Sequence, residues 1–195
     1  MNKRERKIVK NQTSEFLTPD EINRLLKFLY SEEKWIYYLL VKVGISTALR
    51  YSDLQQLRWR DFEFTNKLTL CEKKTNKTRE IPISKELSDA VLFIKDKMKI
   101  ENSFDYIFKL TTRCINIQLK IYSAKSKIYK KQISTHSFRK SFGREVWRRN
   151  NYSEAALIVL SEAYQHSSIK ITRKYLGITR EEINNLYDLE NLFWH

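Results

Sequence analysis

Three short stretches carry side chains whose types and spacing suit chemistry on an anion. Arg50 stands in Thr47-Ala48-Leu49-Arg50-Tyr51-Ser52-Asp53-Leu54, where it ends an apolar segment and is followed at once by residues that read as a helix N-cap. His136 and Arg139 are three apart in His136-Ser137-Phe138-Arg139, in the first turn of an expected helix. Residues at i and i+3 share a helix face. The unpaired N–H groups of a first turn already favour negative charge, so both side chains can address one phosphate. The third stretch is Tyr164-Gln165-His166-Ser167-Ser168-Ile169, followed nine residues after the histidine by Tyr175. Taken singly, each has a structural alternative: an arginine packed at a helix end, a chance H-x-x-R in a basic chain, or a tyrosine in the core.

Helices must supply most of the scaffold that positions these groups. Thr18-Pro19-Asp20-Glu21 reads as a capping box with proline in the first helical position, and Ile22, Leu25, Leu26 and Leu29 follow at helical spacing. A second helix is expected from Lys34 to Thr47, and a short third after Ser52. Leu68 to Cys71 and Arg79 to Ile83 alternate like the strands of a hairpin whose turn, Lys73-Lys74-Thr75-Asn76-Lys77, is strongly basic. Ser84 caps a helix carrying Leu87, Val91, Ile94 and Met98, and another runs from Thr112 to Tyr122. Thr135 is expected as N-cap of a helix to Arg149, Ser153 caps the next, and Ser168 caps a short one with Ile171 and Tyr175. Thr179 to Glu182 reads as a second capping box. The expected fold class is mainly α with a small antiparallel β-sheet, without internal repeats.

Composition narrows the partners. The chain has 195 residues with 37 Lys+Arg against 23 Asp+Glu, a net charge of +14, and 42% hydrophobic residues. That is enough apolar material for one domain with a core. Three glycines and two prolines are too few for a β-sandwich or a Gly-rich nucleotide loop. Ten Lys/Arg and no carboxylate lie between Asp105 and Glu145, interleaved with Ile115, Leu119, Tyr122, Ile128 and Tyr129. This suits a helix that buries one face and shows the other to phosphates, although a solvated basic surface reads alike. After Arg180 come Glu181, Glu182, Asp188 and Glu190 without lysine or arginine, a segment expected to dock on protein. Cys71 and Cys114 are lone cysteines, expected to be reduced and structural, and no zinc site is expected. With neither a membrane-length apolar run nor a signal peptide, a cytoplasmic location is expected.

In this order the motifs resemble the catalytic domain of the tyrosine recombinases, the phage integrase family. The resemblance covers about Phe16 to Tyr187 and rests on the A-L-R-x-S-[DE]-L box, the basic hairpin, H-x-x-R and H-S-S-x-x-x-T-x-x-Y. It implies the DNA breaking–rejoining fold over residues 18–195, with 179–195 as an exchange or docking segment, while residues 1–17, polar, basic and without periodicity, read as a flexible arm. It further implies that Arg50 and Arg139 are the two catalytic arginines, that His136 and His166 hold the histidine positions, and that Tyr175 is the nucleophile. The hairpin-turn lysine falls best on Lys74, with Lys73 and Lys77 as close rivals, and Asp53 takes a supporting acidic position. Lys73, Lys77, Arg113, Lys140 and Arg173 are expected to grip flanking DNA.

The implied reaction is transesterification without metal, nucleotide or other cofactor. The implied partner is double-stranded DNA, bound as a tetramer through the C-terminal segment, with a monomer as the free form. A type IB topoisomerase-like relaxing enzyme and a non-catalytic DNA-binding regulator stay open as alternatives. Tyr164-Gln165-His166 departs from the family's usual Leu-Gly-His, and the stretch around Arg148-Arg149-Asn150-Asn151 is longer than usual. A naturally short recombinase and the catalytic fragment of a longer integrase both fit the length.

Overall fold

A computed structural model describes residues 14–74, 76–129 and 132–178. The chain divides into two compact units, Met1–Ser141 and Phe142–His195. The helices are α1 (Pro19–Ser31), α2 (Trp35–Thr47), α3 (Tyr51–Leu54), α4 (Lys85–Lys97), α5 (Thr112–Lys125), α6 (Thr135–Arg149), α7 (Glu154–Ala163) and α8 (Ile169–Leu176); the strands are β1 (Lys67–Cys71) and β2 (Thr78–Pro82). The division between the units falls inside α6. The mainly α class with one small antiparallel sheet is borne out.

Local signals set most of the boundaries. The Thr18 side chain accepts from the Glu21 N–H while the Glu21 carboxylate accepts from the Thr18 N–H, completing the capping box of α1. Ser84, Thr111 and Ser153 accept from the N–H groups of Leu87, Cys114 and Ala156, starting α4, α5 and α7. Two boundaries move. α2 stops at Thr47, Ala48 turns left-handed at φ 53°, and Arg50 itself is the N-cap of α3. Arg50 therefore does not end the apolar helix, and Ser52 lies inside the next one. At α6 the cap is Ser134, whose Oγ accepts from the His136 N–H, while Ser137 Oγ accepts from the Ser134 N–H. Thr135 is the first helical residue, and its own N–H goes to Asn116 Oδ1 at 3.0 Å.

The first unit closes around one apolar cluster. α1 packs on α2 and α5, α2 packs on α4, and Leu25, Leu29, Leu39, Leu40, Val91 and Ile94 are fully buried. In the hairpin Leu68 faces Ile81 and Leu70 faces Arg79. Opposed residues of an antiparallel pair lie on the same face of the sheet. The period of two that buries Leu68 and Leu70 therefore carries Glu72 inward, on the side of Arg79. Gly44 makes room for α6: a Cβ there would stand 3.2 Å from Phe138 Cβ.

Part of the expected flexible arm is structured. Leu17 is buried and its N–H donates to Ser141 Oγ at 2.7 Å, the Glu15 N–H donates to the Gln132 carbonyl, and Ser14 Oγ pairs with Ser134 Oγ. The arm expected over 1–17 is thus packed from residue 14 onward, because an apolar side chain and the backbone beside it find partners; residues 1–13 lie outside the described residues. So does the segment 179–195, with its expected capping box and docking role.

In the second unit α7 packs on α8. Gly143 of α6 lies so close to this pair that a Cβ would meet Tyr164 Oη at 2.6 Å and Leu176 Cδ2 at 2.7 Å. No helix among the described residues is long and apolar enough to cross a membrane.

Candidate active site

In the first unit the chain bend at Ala48 does two jobs. The left-handed turn releases the chain from α2 and points the Ala48 carbonyl at Arg139, whose Nη1 donates to it at 2.6 Å. Two residues later Arg50 opens α3 and donates Nη1 to Glu72 Oε2 at 2.7 Å. Arg139 is buried to 2% exposure, and the Arg50 side chain keeps 14%. The neighbouring Tyr51 is structural: its hydroxyl donates to the Leu110 carbonyl at 2.8 Å, and burial pushes its pKa up to about 12.

His136 lies at the second position of α6, where its N–H donates to Ser134 Oγ at 3.2 Å. Although one edge is exposed, the protein packed around the ring strips enough water to lower its pKa below the ordinary imidazole value. The charges of Arg139, Lys140, Arg50 and Lys74 lower it further, in that order. Three sequence-expected catalytic residues, Arg50, Lys74 and Arg139, thus act electrostatically on the fourth. They come from the α3 N-cap, the hairpin turn and α6, far apart in the chain.

Two buried carboxylates organise this set. Asp53, fully buried, accepts from the Lys73 N–H at 2.9 Å and stands 4.0 Å from Arg50 Nη1. Glu72, also fully buried, accepts from Arg50 through one oxygen and from Arg79 Nη1 at 3.1 Å through the other. Burial is the largest influence on Glu72 and pushes its pKa up, but hydrogen bonds and charge from Arg79 and Arg50 outweigh it and hold the carboxyl ionised, below the usual range. Asp53 was expected to support the box. Glu72 lies outside the motifs that mark the site in the sequence, although the alternation Leu68, Leu70, Glu72 aims a carboxylate at the core and so demands a cationic partner.

The second unit carries the other two candidates. α7 ends in a Schellman turn: the His166 N–H donates to the Ser161 carbonyl and the Gln165 N–H to the Glu162 carbonyl, with Gln165 left-handed at φ 53°. His166 leaves this turn and pairs Nδ1 with Thr172 Oγ1 at 2.8 Å; Thr172 is fully buried on α8. Tyr175, one turn further along α8, packs edge-to-face on His166 and Tyr164 with ring centroids 5.5 and 5.9 Å away. The unusual Tyr164-Gln165-His166 therefore keeps a regular turn, with glutamine in the conformation that glycine takes most easily.

That substitution has a measurable cost. A side chain in the left-handed region is disfavoured by about 1–2 kcal/mol, and Gln165 Oε1 is buried without a hydrogen-bond partner. Gln165→Gly is expected to stabilise the protein by about 1 kcal/mol, a rise of about 2–4 °C in Tm. A lowered Tm would count against this account of the turn.

The expected DNA-gripping residues fare differently. Lys73, Lys77 and Arg113 are exposed. Arg173 is half-buried, 3.9 Å from Glu154. Lys140 departs from expectation: it is buried, with Nζ donating to the Ser14 carbonyl at 2.6 Å, so it holds the N-terminal strap of the first unit. Along α5, Ile115, Leu119 and Tyr122 are buried while Arg113, Lys120 and Lys125 are exposed, the two-faced helix expected of the carboxylate-free stretch. Cys71 and Cys114 are free and exposed, and among the described residues no group of three or more His, Cys, Asp or Glu could hold a metal ion.

Comparison with known proteins identifies the family and the fold. The model of the phage integrase family matches residues 15–182. "Probable integrase/recombinase YoeC" of Bacillus subtilis is 30% identical over 173 residues, covering 86% of this chain and 91% of that protein. Tyrosine recombinase XerC of Pediococcus pentosaceus is 25% identical over 88% of this chain, which spans only 60% of its length. Among solved structures, XerA recombinase superposes with a TM-score of 0.66 at 21% identity, covering 90% of this chain and 64% of that one. The catalytic domain of bacteriophage HP1 integrase gives 0.58 at 21%, covering 93% and 98%. At these identities the structures establish a shared fold.

Proposed function

Since the chain belongs to the phage integrase family and carries a tyrosine recombinase catalytic domain, we propose that it breaks and rejoins double-stranded DNA at specific sites through a 3′-phosphotyrosyl intermediate on Tyr175. The observation that carries this reading is the linkage of the arginine box, the hairpin turn and α6: Arg50 donates to Glu72, Asp53 accepts from the Lys73 N–H beside Lys74, and Arg139 docks on the Ala48 carbonyl two residues before Arg50. Structures of similar recombinases support DNA as the partner: a XerH recombinase is bound to its difH substrate, a Tn1549 integrase to transposon right-end DNA.

The Tyr175 oxygen attacks phosphorus, the P–O5′ bond breaks, and the products are a phosphotyrosyl ester and a free 5′-hydroxyl. A phenol with pKa about 10 is mostly protonated at pH 7, so its proton passes to an acceptor, the role assigned to His136. The departing 5′-oxygen takes a proton from Lys74. Arg50 and Arg139 hold the non-bridging oxygens, where guanidinium forks meet the growing negative charge. Thr172 orients His166 through Nδ1, and Nε2 is the nitrogen assigned to the phosphate. Lys73, Lys77 and Arg113 contact the flanking backbone. The ester conserves the bond energy for religation, so no nucleotide enters. The assembly on DNA is assigned as a tetramer joined through 179–195, and the cytoplasm, where such DNA lies, is the assigned place of action.

The test is incubation with a nicked suicide substrate. A Tyr175-dependent covalent adduct, followed by recombination between two sites, is the expected result. No adduct would sink the catalytic assignment, and an adduct with relaxation but no recombination would favour a relaxing enzyme. Because His136 must be neutral to accept the proton, cleavage should rise with pH through its pKa. Solvent exclusion and neighbouring cations place that limb of kcat/KM below about pH 6.5. His136→Asn should remove the limb; a limb that persists in this variant belongs to another group.

A further inference from the structure

We propose that Glu72 is a positioning residue for cleavage, holding the Arg50 guanidinium in register with the hairpin turn that bears Lys74. The proposal rests on the roles assigned above to Arg50, Lys74 and Tyr175. Glu72 directly follows β1, is fully buried, and ties three things together. Its backbone closes the turn, the N–H donating to the Lys77 carbonyl at 3.0 Å and the carbonyl accepting from the Asn76 N–H at 2.8 Å. One carboxylate oxygen takes Arg50 at 2.7 Å, and the other takes Arg79 at 3.1 Å. Asp53 in turn accepts from the Lys73 N–H and stands 4.0 Å from Arg50. The turn and the arginine box are thereby linked through two buried carboxylates.

Stability alone is a weak reason for such an arrangement, because a buried ion pair is often no better than packed apolar side chains of similar volume. Orientation is a stronger one. A guanidinium is a rigid plane, so fixing its Nη1 edge fixes the direction of its remaining donors. Only a carboxylate serves both arginines here: it offers two acceptor oxygens, whereas the amide of Gln offers one and turns an NH₂ donor toward a second donor.

The experiment compares single-turnover adduct formation by wild type, Tyr175→Phe, Glu72→Gln, Arg50→Ala and the Glu72→Gln/Arg50→Ala double variant. Two substrates are used, one ordinary and one with sulfur in place of the bridging 5′-oxygen. A thiol leaves without being protonated, so sulfur relieves a defect in Lys74 and leaves a defect in Arg50 untouched. Glu72→Gln is expected to be slower by about 10–100-fold on both substrates, the scale of a small misplacement of a reacting group. The double variant should be no slower than Arg50→Ala. Wild-type rates in Glu72→Gln, full relief by sulfur, or losses that multiply in the double variant would each overturn the proposal. No Tyr175-dependent adduct in wild type would instead overturn the site reading, and the proposal with it. Should Glu72→Gln fail to fold, Glu72→Asp, which keeps the charge but withdraws both oxygens by one methylene, is expected to show the same sulfur-insensitive loss, and unchanged rates there would equally overturn the proposal.

Discussion

Tyr175→Phe is expected to abolish the covalent DNA adduct while leaving the fold and DNA affinity near those of wild type. The expectation follows from how the ring is held. Tyr175 is placed by edge-to-face packing on His166 and Tyr164, and phenylalanine keeps the six-membered ring that makes those contacts. Only the hydroxyl is lost, and it is the atom assigned to attack phosphorus. Enzymes that lose a covalent nucleophile fall by more than about 10⁴-fold, so no adduct should accumulate on a suicide substrate while wild type traps it. The measurement has three parts: adduct by denaturing gel, affinity by titration with intact duplex, and Tm. An adduct that persists in the phenylalanine variant would assign the nucleophile elsewhere. Tyr51 is a poor substitute, since its hydroxyl is already committed to the Leu110 carbonyl.

Arg139→Lys is expected to slow cleavage by about 10²–10³-fold, the effect of removing one donor worth about 3–4 kcal/mol in the transition state. Charge is conserved in this change, and the fork is not. Arg139 spends Nη1 on the Ala48 carbonyl at 2.6 Å, within a site that leaves 2% of the residue exposed. A planar guanidinium can keep that bond and still present other N–H groups to a phosphate oxygen. An ammonium on a flexible stem is a point donor and serves one partner or the other. Ala48 is itself left-handed, so the carbonyl that docks Arg139 is placed by the bend between α2 and α3. Tm is expected to stay near wild type, since a cation remains at the site, and cleavage within about tenfold of wild type would remove Arg139 from its assigned role.

The residues differ in how far the sequence exposes their roles. Thr18 and Glu21 announce α1 because both partners of a capping box lie within one turn, and Leu68 and Leu70 announce the inward face of β1 because alternation is local. The ordered motifs around Arg50, His136, Arg139, His166 and Tyr175 are legible for a similar reason, since each occupies a few consecutive residues. The cap of α6 is misread by one position, because Ser134, Thr135 and Ser137 are all competent cappers and only the bonds formed distinguish them.

By itself, then, the sequence determined the helical class, the single hairpin, the excess of positive charge and the order of the candidate groups, all properties of neighbours along the chain. Tertiary structure decided which charges are matched. Lys140 looked like a phosphate contact in a carboxylate-free stretch until packing brought the Ser14 carbonyl, 126 residues away, onto its Nζ. Glu72 looked like one acidic residue before a basic turn until Arg50, 22 residues earlier, reached its carboxylate. The physical reason is the same in both cases: a buried charge must find a partner, and which partner it finds depends on the contacts the fold makes, at separations far longer than the three or four residues over which caps and periodicities act.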